Sequence, residues 1–390
     1  MSDSRTRPRD DDDDDAEESE APPHRRQRLE DETLVDADIV VVEQLERDPQ
    51  FYRSDGDCVI RVENTLFKVH RFHFNGPAFE GLFSLPGSED KKFKFEGQDD
   101  CHPIRFFGDT VNQLRSFLGY AYAHALHVQY SSMPLTDIYK LIDTVQIAHK
   151  YALEESEKWA VNAITYACVK KKLLRNCAVD VYVALLKLDL LSPMPTVKSH
   201  IRKHWIDRLR EGGDKTMTIA HALDTADEIG FRRLLGDLYF LQLQKLDEPA
   251  DSIPGTQVAQ PLPADLNDVH KLRLMTGYRS LSLSWSRIAA NPLPLEGTCS
   301  LGIACHLAEC GPIWTADWDD NVAQMSRLTG GNLLKHVQTF QTALLDHYVA
   351  NGGCPLVTPT INRQFPELIK TLRQSIADHF LGPEPEEPPA

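Results

Sequence analysis

The sequence contains no run of 18 apolar residues, so we predict no membrane-spanning helix. Its first residues, "MSDSRTRPRDDDDDD", include no apolar segment, which predicts that it carries no secretory signal. It also has no GxSxG elbow, no HExxH pair, no GxGxxG after a strand and no P-loop. Because these common signatures of enzymes are missing, we expect a protein that is not an enzyme and that uses no cofactor.

The chain has fewer basic than acidic residues. The chain has 42 Lys and Arg against 58 Asp and Glu, a formal net charge of −16. Much of the excess lies at the start, since the first twenty residues hold ten acidic and three basic side chains. Non-specific binding to nucleic acid needs a basic face. We therefore do not expect nucleic acid or a membrane among the partners.

Because no secretory signal is predicted, we expect an intracellular location. Without export, the eight cysteines are expected to be reduced thiols rather than a disulfide framework. The predicted location is the cytoplasm, the nucleus or both. The basic cluster "HRRQR" at 24–28 could belong to a nuclear import signal, although a solvated tail is the favoured interpretation.

Composition and helical periodicity divide the chain into six segments. An acidic, mostly disordered tail comes first because its like charges repel and its apolar content is low. Whether the two helical segments form one domain or two stays open. The predicted segments are 1–52 (acidic tail), 53–152 (α+β domain), 153–247 (helical domain), 248–264 (proline-rich linker), 265–381 (C-terminal helical domain) and 382–390 (disordered tail).

The α+β segment begins with a predicted hairpin. "DCVIRV" and "TLFKV" alternate as strands on either side of a tight turn at Glu63–Asn64. "FKFE" at 93–96 and "PIRFF" at 103–107 predict a third and a fourth strand. Residues 39–42 could form a strand or a helix.

Helices are predicted in the rest of the chain. Asp109–Thr110 is the expected N-cap of the first long one. Further along, the apolar spacing predicts one long helix near 316–350 and a last helix at about 364–380.

The stretch "DGDCVIRVENTLFKVHR" resembles the opening of a BTB/POZ domain, over about residues 53–152. In that family an aspartate leads the first strand, a phenylalanine lies in the second, a histidine–arginine pair starts the first helix and two aromatics follow. The matching residues here are Asp57, Phe67, His70, Arg71, Phe79 and Phe83. The resemblance implies an α+β BTB/POZ fold, with a short sheet capped by helices, followed by all-helical regions.

Two other phrases are similar to BTB proteins of mushroom-forming fungi: "LMTGYRSLSLSW" at 274–285 and "CSLGIACHLAECGPIWTADW" further on. The family implies a protein–protein interaction module. It would associate with itself, recruit a cullin-type ubiquitin ligase scaffold as a substrate adaptor, or act as a transcriptional co-regulator. The surface that we expect to take part includes Gly76, Pro77, Tyr139 and Lys140. Gly76–Pro77 should break or shorten a helix that relatives keep smooth, and so alter the dimer surface.

Histidines and cysteines are the candidates for a different chemistry. His70 is expected to be half-buried and bonded to the backbone, and His73 to be a partly exposed helical residue, neither of them a metal ligand. Cys299, Cys305 and Cys310, with His306 between them and Cys354 further away, offer an alternative: a zinc ion pinning a loop. Since no pair is spaced as CxxC, reduced thiols are favoured and no metal is predicted.

Overall fold

The computed structural model describes eight stretches of the chain. They are 44–83, 96–123, 138–212, 217–247, 261–295, 310–325, 330–351 and 354–384. Contacts within the chain separate Met1–Gln44 from Leu45–Ala390, and every element below lies in the second unit. The predicted acidic tail up to residue 43, most of the predicted linker and the last six residues lie outside the described stretches.

Four short strands form a mixed sheet. Its spatial order is β1–β3–β2–β4, with β2 antiparallel to β3 and the two outer pairs parallel. The strands are β1 Glu46–Tyr52, β2 Cys58–Val62, β3 Thr65–Val69 and β4 Ile104–Phe106.

The predicted hairpin is confirmed. Cys58 pairs with Val69 at one end and Val62 pairs with Thr65 at the other, without a register shift. Glu63 takes the left-handed conformation, with φ of 51°, which the tight turn requires. The strand predicted at 103–107 is also confirmed as β4. The strand predicted at 93–96 lies almost wholly outside the described residues, and Glu96, at its end, is in a turn.

The assignment of residues up to 52 to a tail was wrong for 46–52, which form β1. Only Asp48 and Phe51 of this strand are buried, and its register against β3 shifts between Arg47 and Tyr52. The Asp48 carboxylate accepts hydrogen bonds from the backbone N–H groups of Gln50 and Phe51. Residues 39–42, the other candidate for a strand, lie outside the described residues.

The remaining described elements are helices. As the sequence predicted, Thr110 is the N-cap of the first long one, and the structure adds a capping box between Thr110 and Gln113. The helices are α1 Pro77–Phe83, α2 Val111–Ala121, α3 Ile138–Lys150, α4 Glu154–Val169, α5 Val179–Leu191, α6 Pro195–Arg210, α7 Ile219–Glu228, α8 Arg232–Leu246, α9 Asp268–Ala290, α10 Gly311–Gln324, α11 Leu333–Asn351, α12 Val357–Gln374 and α13 Ile376–Leu381.

Two helix predictions near the C-terminus were wrong. The long helix expected near 316–350 is two helices, because α10 ends where Met325 adopts an extended backbone conformation. The last helix, expected at about 364–380, begins earlier, at Val357. It is then interrupted at Ser375, where α13 starts.

The described residues form two hydrophobic cores, and α3 contributes to both. Ile142 and Val145, on the N-terminal part of α3, lie in the core of the helical region. Ile147 and Ala148, one turn later, lie in the core under the sheet. The helical core is continuous from α3 to α13, so it contains residues of both predicted helical segments. Among the described residues, no helix has the length and apolar character needed to cross a bilayer.

Candidate functional site

The motif residues that the sequence singled out lie where β3 passes into the helices. The Asp57 carboxylate accepts a hydrogen bond of 2.8 Å from the backbone N–H of Arg71. This contact joins the start of β2 to a single 3₁₀ turn, Arg71–His73. Phe67 and Phe79 are both buried in the core under the sheet. Phe83 ends α1, and its side chain lies outside the described part. The described motif residues therefore hold the crossing together.

His70 is partly buried as predicted, but its side chain does not bond to the backbone. The Tyr122 hydroxyl accepts from the His70 backbone N–H at 2.9 Å and lies 2.8 Å from the ring Nδ1. Nε2 faces the Asp55 carboxylate at 3.7 Å. The ring therefore joins the loop before β2 to the end of α2.

His73 lies in the 3₁₀ turn and is partly exposed, as predicted. Its ring centroid is 4.2 Å from that of Tyr122 and 4.0 Å from that of the exposed Phe72. Burial, with smaller contributions from the charges of His70 and Arg53, lowers the pKa of His73. The ring is therefore neutral at physiological pH, as expected of a group packed among aromatic side chains.

Gly76 and Pro77 interrupt the helix as predicted. The 3₁₀ turn ends at His73, and α1 begins at Pro77. Gly76 is buried against the end of α3, and an added Cβ would lie only 2.8 Å from the carbonyl oxygen of Ala152. Pro77 is exposed. Gly76 is thus a close-packing position rather than part of an open surface.

A groove between α2 and α3 contains the other two predicted surface residues. Tyr139 and Lys140, at the start of α3, line it together with residues of α2, the end of β1 and α4. Its volume is about 590 Å³. We call this the α2–α3 groove; its lining residues are Gln50, Phe51, Asn112, Arg115, Ser116, Gly119, Tyr120, Ala123, Tyr139, Lys140, Leu141, Asp143, Thr144 and Trp159.

Polar side chains hold the walls of this groove in place. Arg115 donates from Nε to the fully buried carboxylate of Asp48 at 2.7 Å, which fastens β1 to α2. Ser116 donates to Asp143 at 2.9 Å and so links α2 to α3. Burial raises the pKa of Asp143, although the bond from Ser116 opposes the rise. The groove therefore contains a carboxylate that is partly withdrawn from water.

An aromatic wall closes one side of the α2–α3 groove. The rings of Tyr120 and Trp159 stack with centroids 4.1 Å apart and planes 23° from parallel. Trp159 belongs to α4, so the predicted boundary at residue 152 cuts through the groove. Tyr139 is 49% exposed nearby. Sequence reasoning missed Tyr120, Asp143 and Trp159, since neither helical spacing nor a motif marks a contact between separate helices.

A smaller cavity adjoins the groove at the C-terminal end of α2. It has a volume of about 370 Å³ and shares Tyr120 and Ala123 with the groove. The exposed Phe72 and half-buried His73 line its far side. The motif turn and the α2–α3 groove therefore border neighbouring recesses that share Tyr120 and Ala123.

The cysteine alternative falls mostly outside the described residues. Cys299, Cys305 and His306 are not among them, whereas Cys310 and Cys354 are. Burial raises the pKa of Tyr348; its hydrogen bond to Asp317 and then the charges of Cys354 and Cys310 add to the rise. Both thiols therefore lie near one phenol. Within the described stretches, no three Cys, His, Asp or Glu side chains are arranged to hold a metal ion.

The chain matches no protein-family model, no curated protein and no solved structure. The geometry of the site is thus the basis for its interpretation. A recessed surface with a stacked aromatic wall, a half-exposed tyrosine, a lysine and a carboxylate can bury apolar side chains and fix them with a few hydrogen bonds.

Proposed function

We propose that this chain is a BTB-like protein-interaction module that recruits a partner through the α2–α3 groove. The observation that carries the proposal is the position of Tyr139 and Lys140 beside the stacked pair of Tyr120 and Trp159. In the adaptor version, the partner is a cullin-type ubiquitin ligase scaffold and the C-terminal helices select the target. A transcriptional co-regulator is the variant within the same class, and the proposed location is the cytoplasm or nucleus.

The make-up of the groove supports a protein partner. Aromatic residues are enriched at the centres of protein interfaces because they bury a large area at a low entropic cost. Tyr139 is a half-exposed aromatic at the edge of the groove, where a docking partner can cover it. The polar bonds from Arg115 and Ser116 hold the walls before binding, which reduces the ordering cost of association.

The test uses the purified chain, a purified cullin and isothermal titration calorimetry. Replacing Tyr139 by Ala and Lys140 by Glu together removes the exposed ring and reverses the neighbouring charge. We expect the affinity to fall by roughly a hundredfold, the effect of losing about 2.8 kcal/mol of binding free energy when an aromatic contact is removed and a charge is reversed. The control is Val349→Ala with Lys335→Glu on α11, where an apolar residue and a lysine are likewise exposed.

Three results would contradict this proposal. One is a monomeric chain that binds no cullin and captures no co-regulator. Another is equal loss of affinity in the groove variant and in the α11 control, which would indicate a general change of charge rather than a site. The third is a groove variant that unfolds at a lower temperature yet retains full affinity.

A zinc-pinned loop is the second candidate. It is favoured by the placement of Cys310 and Cys354 near the same tyrosine, Tyr348. Elemental analysis of the purified protein would find about one zinc per chain. That zinc would be lost when Cys299 and Cys305 are replaced by Ser. A protein free of zinc after purification without chelators rules this candidate out.

A further inference from the structure

Helix α9 has an exposed apolar face. Leu272 and Met275 are each 66% exposed, Val269 is 55% exposed and Leu283 is 48% exposed. The helix spans Asp268–Ala290 and includes the phrase "LMTGYRSLSLSW" that the sequence singled out. Scattered exposed leucines are ordinary, but several on one face of a long helix indicate a contact surface.

The opposite face of α9 is fixed, so the helix cannot turn to bury these residues. Leu274, Gly277 and Leu281 are buried on it. A Cβ added at Gly277 would overlap the ring of Phe380, which shows how closely α13 approaches. His270, on the same side, bonds to the Tyr239 hydroxyl at 2.7 Å and to Asp224 at 3.0 Å. The exposed apolar face is therefore a property of the folded chain.

The spacing along this face fits a second helix. Val269, Leu272, Thr276, Arg279 and Leu283 follow one another at intervals of three, four, three and four residues. This is the alternation of the a and d positions of a heptad, which places them on one seam. A helix laid along the seam would cover the apolar ends and meet Arg279 between them. We call these five residues the α9 seam.

Charge indicates which helix fits the α9 seam. Arg279 is exposed, and no ion pair joins it to any residue in the stretches that the structure describes. Lys271 and Arg273 of α9 are already paired, since Lys271 contacts Asp268 and Arg273 contacts Asp227. An antiparallel second copy of α9, aligned at its apolar ends, would set each Arg279 against the apolar Leu272, which supplies no counter-charge, and a parallel copy would place one Arg279 next to the other. Like charges at a seam disfavour the parallel pairing.

We propose that the α9 seam binds an amphipathic helix of a partner protein that carries a carboxylate opposite Arg279. Aliphatic side chains of that helix, at heptad spacing, would pack against Leu272 and Leu283. The proposal goes beyond the groove function because it uses a different helix and a different chemistry. In an adaptor, this surface would be the one that selects the target.

The test uses the full chain and two synthetic peptides. Each peptide has 23 residues, a length chosen to match α9, and leucine at every a and d position except the central one. That position is Glu in one peptide and Lys in the other. Fluorescence anisotropy should show saturable binding of the Glu peptide, at least about tenfold tighter than the Lys peptide. Arg279→Glu should reverse this preference.

Matched variants distinguish binding at the α9 seam from non-specific hydrophobic binding elsewhere on the chain. Leu272→Ser with Leu283→Ser should weaken the Glu peptide by roughly tenfold or more, whereas Leu190→Ser, at an exposed leucine of α5, should not change its affinity. Circular dichroism melting verifies that each variant is folded. The Tyr139 and Lys140 groove variant should bind the peptide as the wild type does, so this test and the groove test can fail separately.

Three outcomes would overturn the proposal. They are the absence of saturable binding, equal affinity for the two peptides in both the wild type and Arg279→Glu, and a wild-type dimer that Leu272→Ser converts to a monomer. The last result, measured by light scattering, would identify a second copy as the occupant.

Discussion

Carboxylates join elements in both the α+β region and the helical region, but only in the helical region do they accompany a core with buried tryptophans. In the α+β region, single carboxylates reach from one small element to the next: Asp57 to the 3₁₀ turn, Asp48 to α2 and Asp109 to α3. In the helical region, the largest buried side chains are aromatic and come from several helices, including Trp205 and Trp318.

In the helical region, tryptophan side chains also donate hydrogen bonds to backbone carbonyl groups. The Trp318 indole donates to the carbonyl of Ala289 at 2.9 Å, and the Trp314 indole donates to Leu293 at 2.7 Å. These bonds anchor the C-terminal end of α9 and the loop after it, where helix carbonyls lack partners of their own. The same two tryptophan side chains therefore fill the hydrophobic core and bond to the backbone.

The difference has a functional meaning. A site such as the α2–α3 groove needs its walls held at fixed distances, and directional bonds between carboxylates and arginine or serine do this. A surface such as the α9 seam needs only a rigid helix, which a large core supplies. We expect changes to the helical core to affect stability most, and changes to the carboxylates to affect the groove.

The largest effect is expected from Trp318→Ala in the helical core. Trp318 is fully buried and packs against Phe340 and Phe365. Truncating a buried Trp or Phe to Ala costs about 3–5 kcal/mol of the free energy of unfolding. Phe67→Ala under the sheet should cost a similar amount. The measurement is urea denaturation followed by circular dichroism and by tryptophan fluorescence.

The same denaturation curves test whether the two regions are independent. Because α3 supplies residues to both cores, we expect one transition for the wild type and for both variants. The expectation of a single transition would be contradicted if Phe67→Ala produced an early transition in circular dichroism without a change in tryptophan fluorescence. The sheet and the helices would then be separate folding units.

A smaller effect is expected from Asp109→Ala in the α+β region. The Asp109 carboxylate is 5% exposed and accepts from Lys150 at 2.7 Å and from the Tyr151 hydroxyl at 2.6 Å. Its loss leaves those donors without their acceptor, at a cost of about 2–3 kcal/mol. Asp319→Ala, at an exposed aspartate of α10, should change the free energy of unfolding by less than about 0.5 kcal/mol.

Asp109→Ala should also loosen the groove, because Asp109 fixes the start of α2 against the end of α3. We expect weaker partner binding in calorimetry together with the lower stability. If the variant were destabilised but bound the partner with unchanged affinity, Asp109 would contribute to stability only. The claim that the carboxylates of the α+β region shape the groove would then be wrong.

Local signals in the sequence explain which elements could be predicted. The hairpin has two alternating runs and a turn at Glu63–Asn64, and α2 has Thr110 and Gln113 at capping spacing. These patterns act within a few residues, so they can be read without a structure. β1 lacks such a pattern, since its burial depends on Asp48 meeting Arg115, 67 residues away.

The candidate site was predictable only in part for the same reason. Tyr139 and Lys140 stand at exposed positions of a helix that periodicity finds, and they do line the groove. Trp159 reads from sequence as an ordinary apolar position of α4, and only the packing of α4 beside α2 brings it to Tyr120. Contacts between helices depend on packing angles and loops, which local spacing does not specify.

The smallest effect, and the one that bears most directly on the groove, is expected from Asp143→Asn. Burial raises the pKa of Asp143 above its ordinary value of 3.8, so the folded chain holds this proton to a higher pH than the unfolded chain does. Stability is therefore lost as the pH rises from 3.8 through the folded pKa, and at pH 7 the charged carboxylate costs stability. Asn removes the charge and keeps an oxygen to accept from Ser116.

We expect Asp143→Asn to raise the free energy of unfolding at pH 7 by less than about 1 kcal/mol, since the site is only partly buried. The advantage should shrink as the pH is lowered toward 3.8, measured by urea denaturation over that range. Asp319→Asn serves as the exposed control. A loss of stability at pH 7 would mean that the charge-assisted bond from Ser116 outweighs burial. Asp143 would then stabilise the fold, as Asp109 does. It would not be a carboxylate that lowers the stability of the chain but is available to bind a partner.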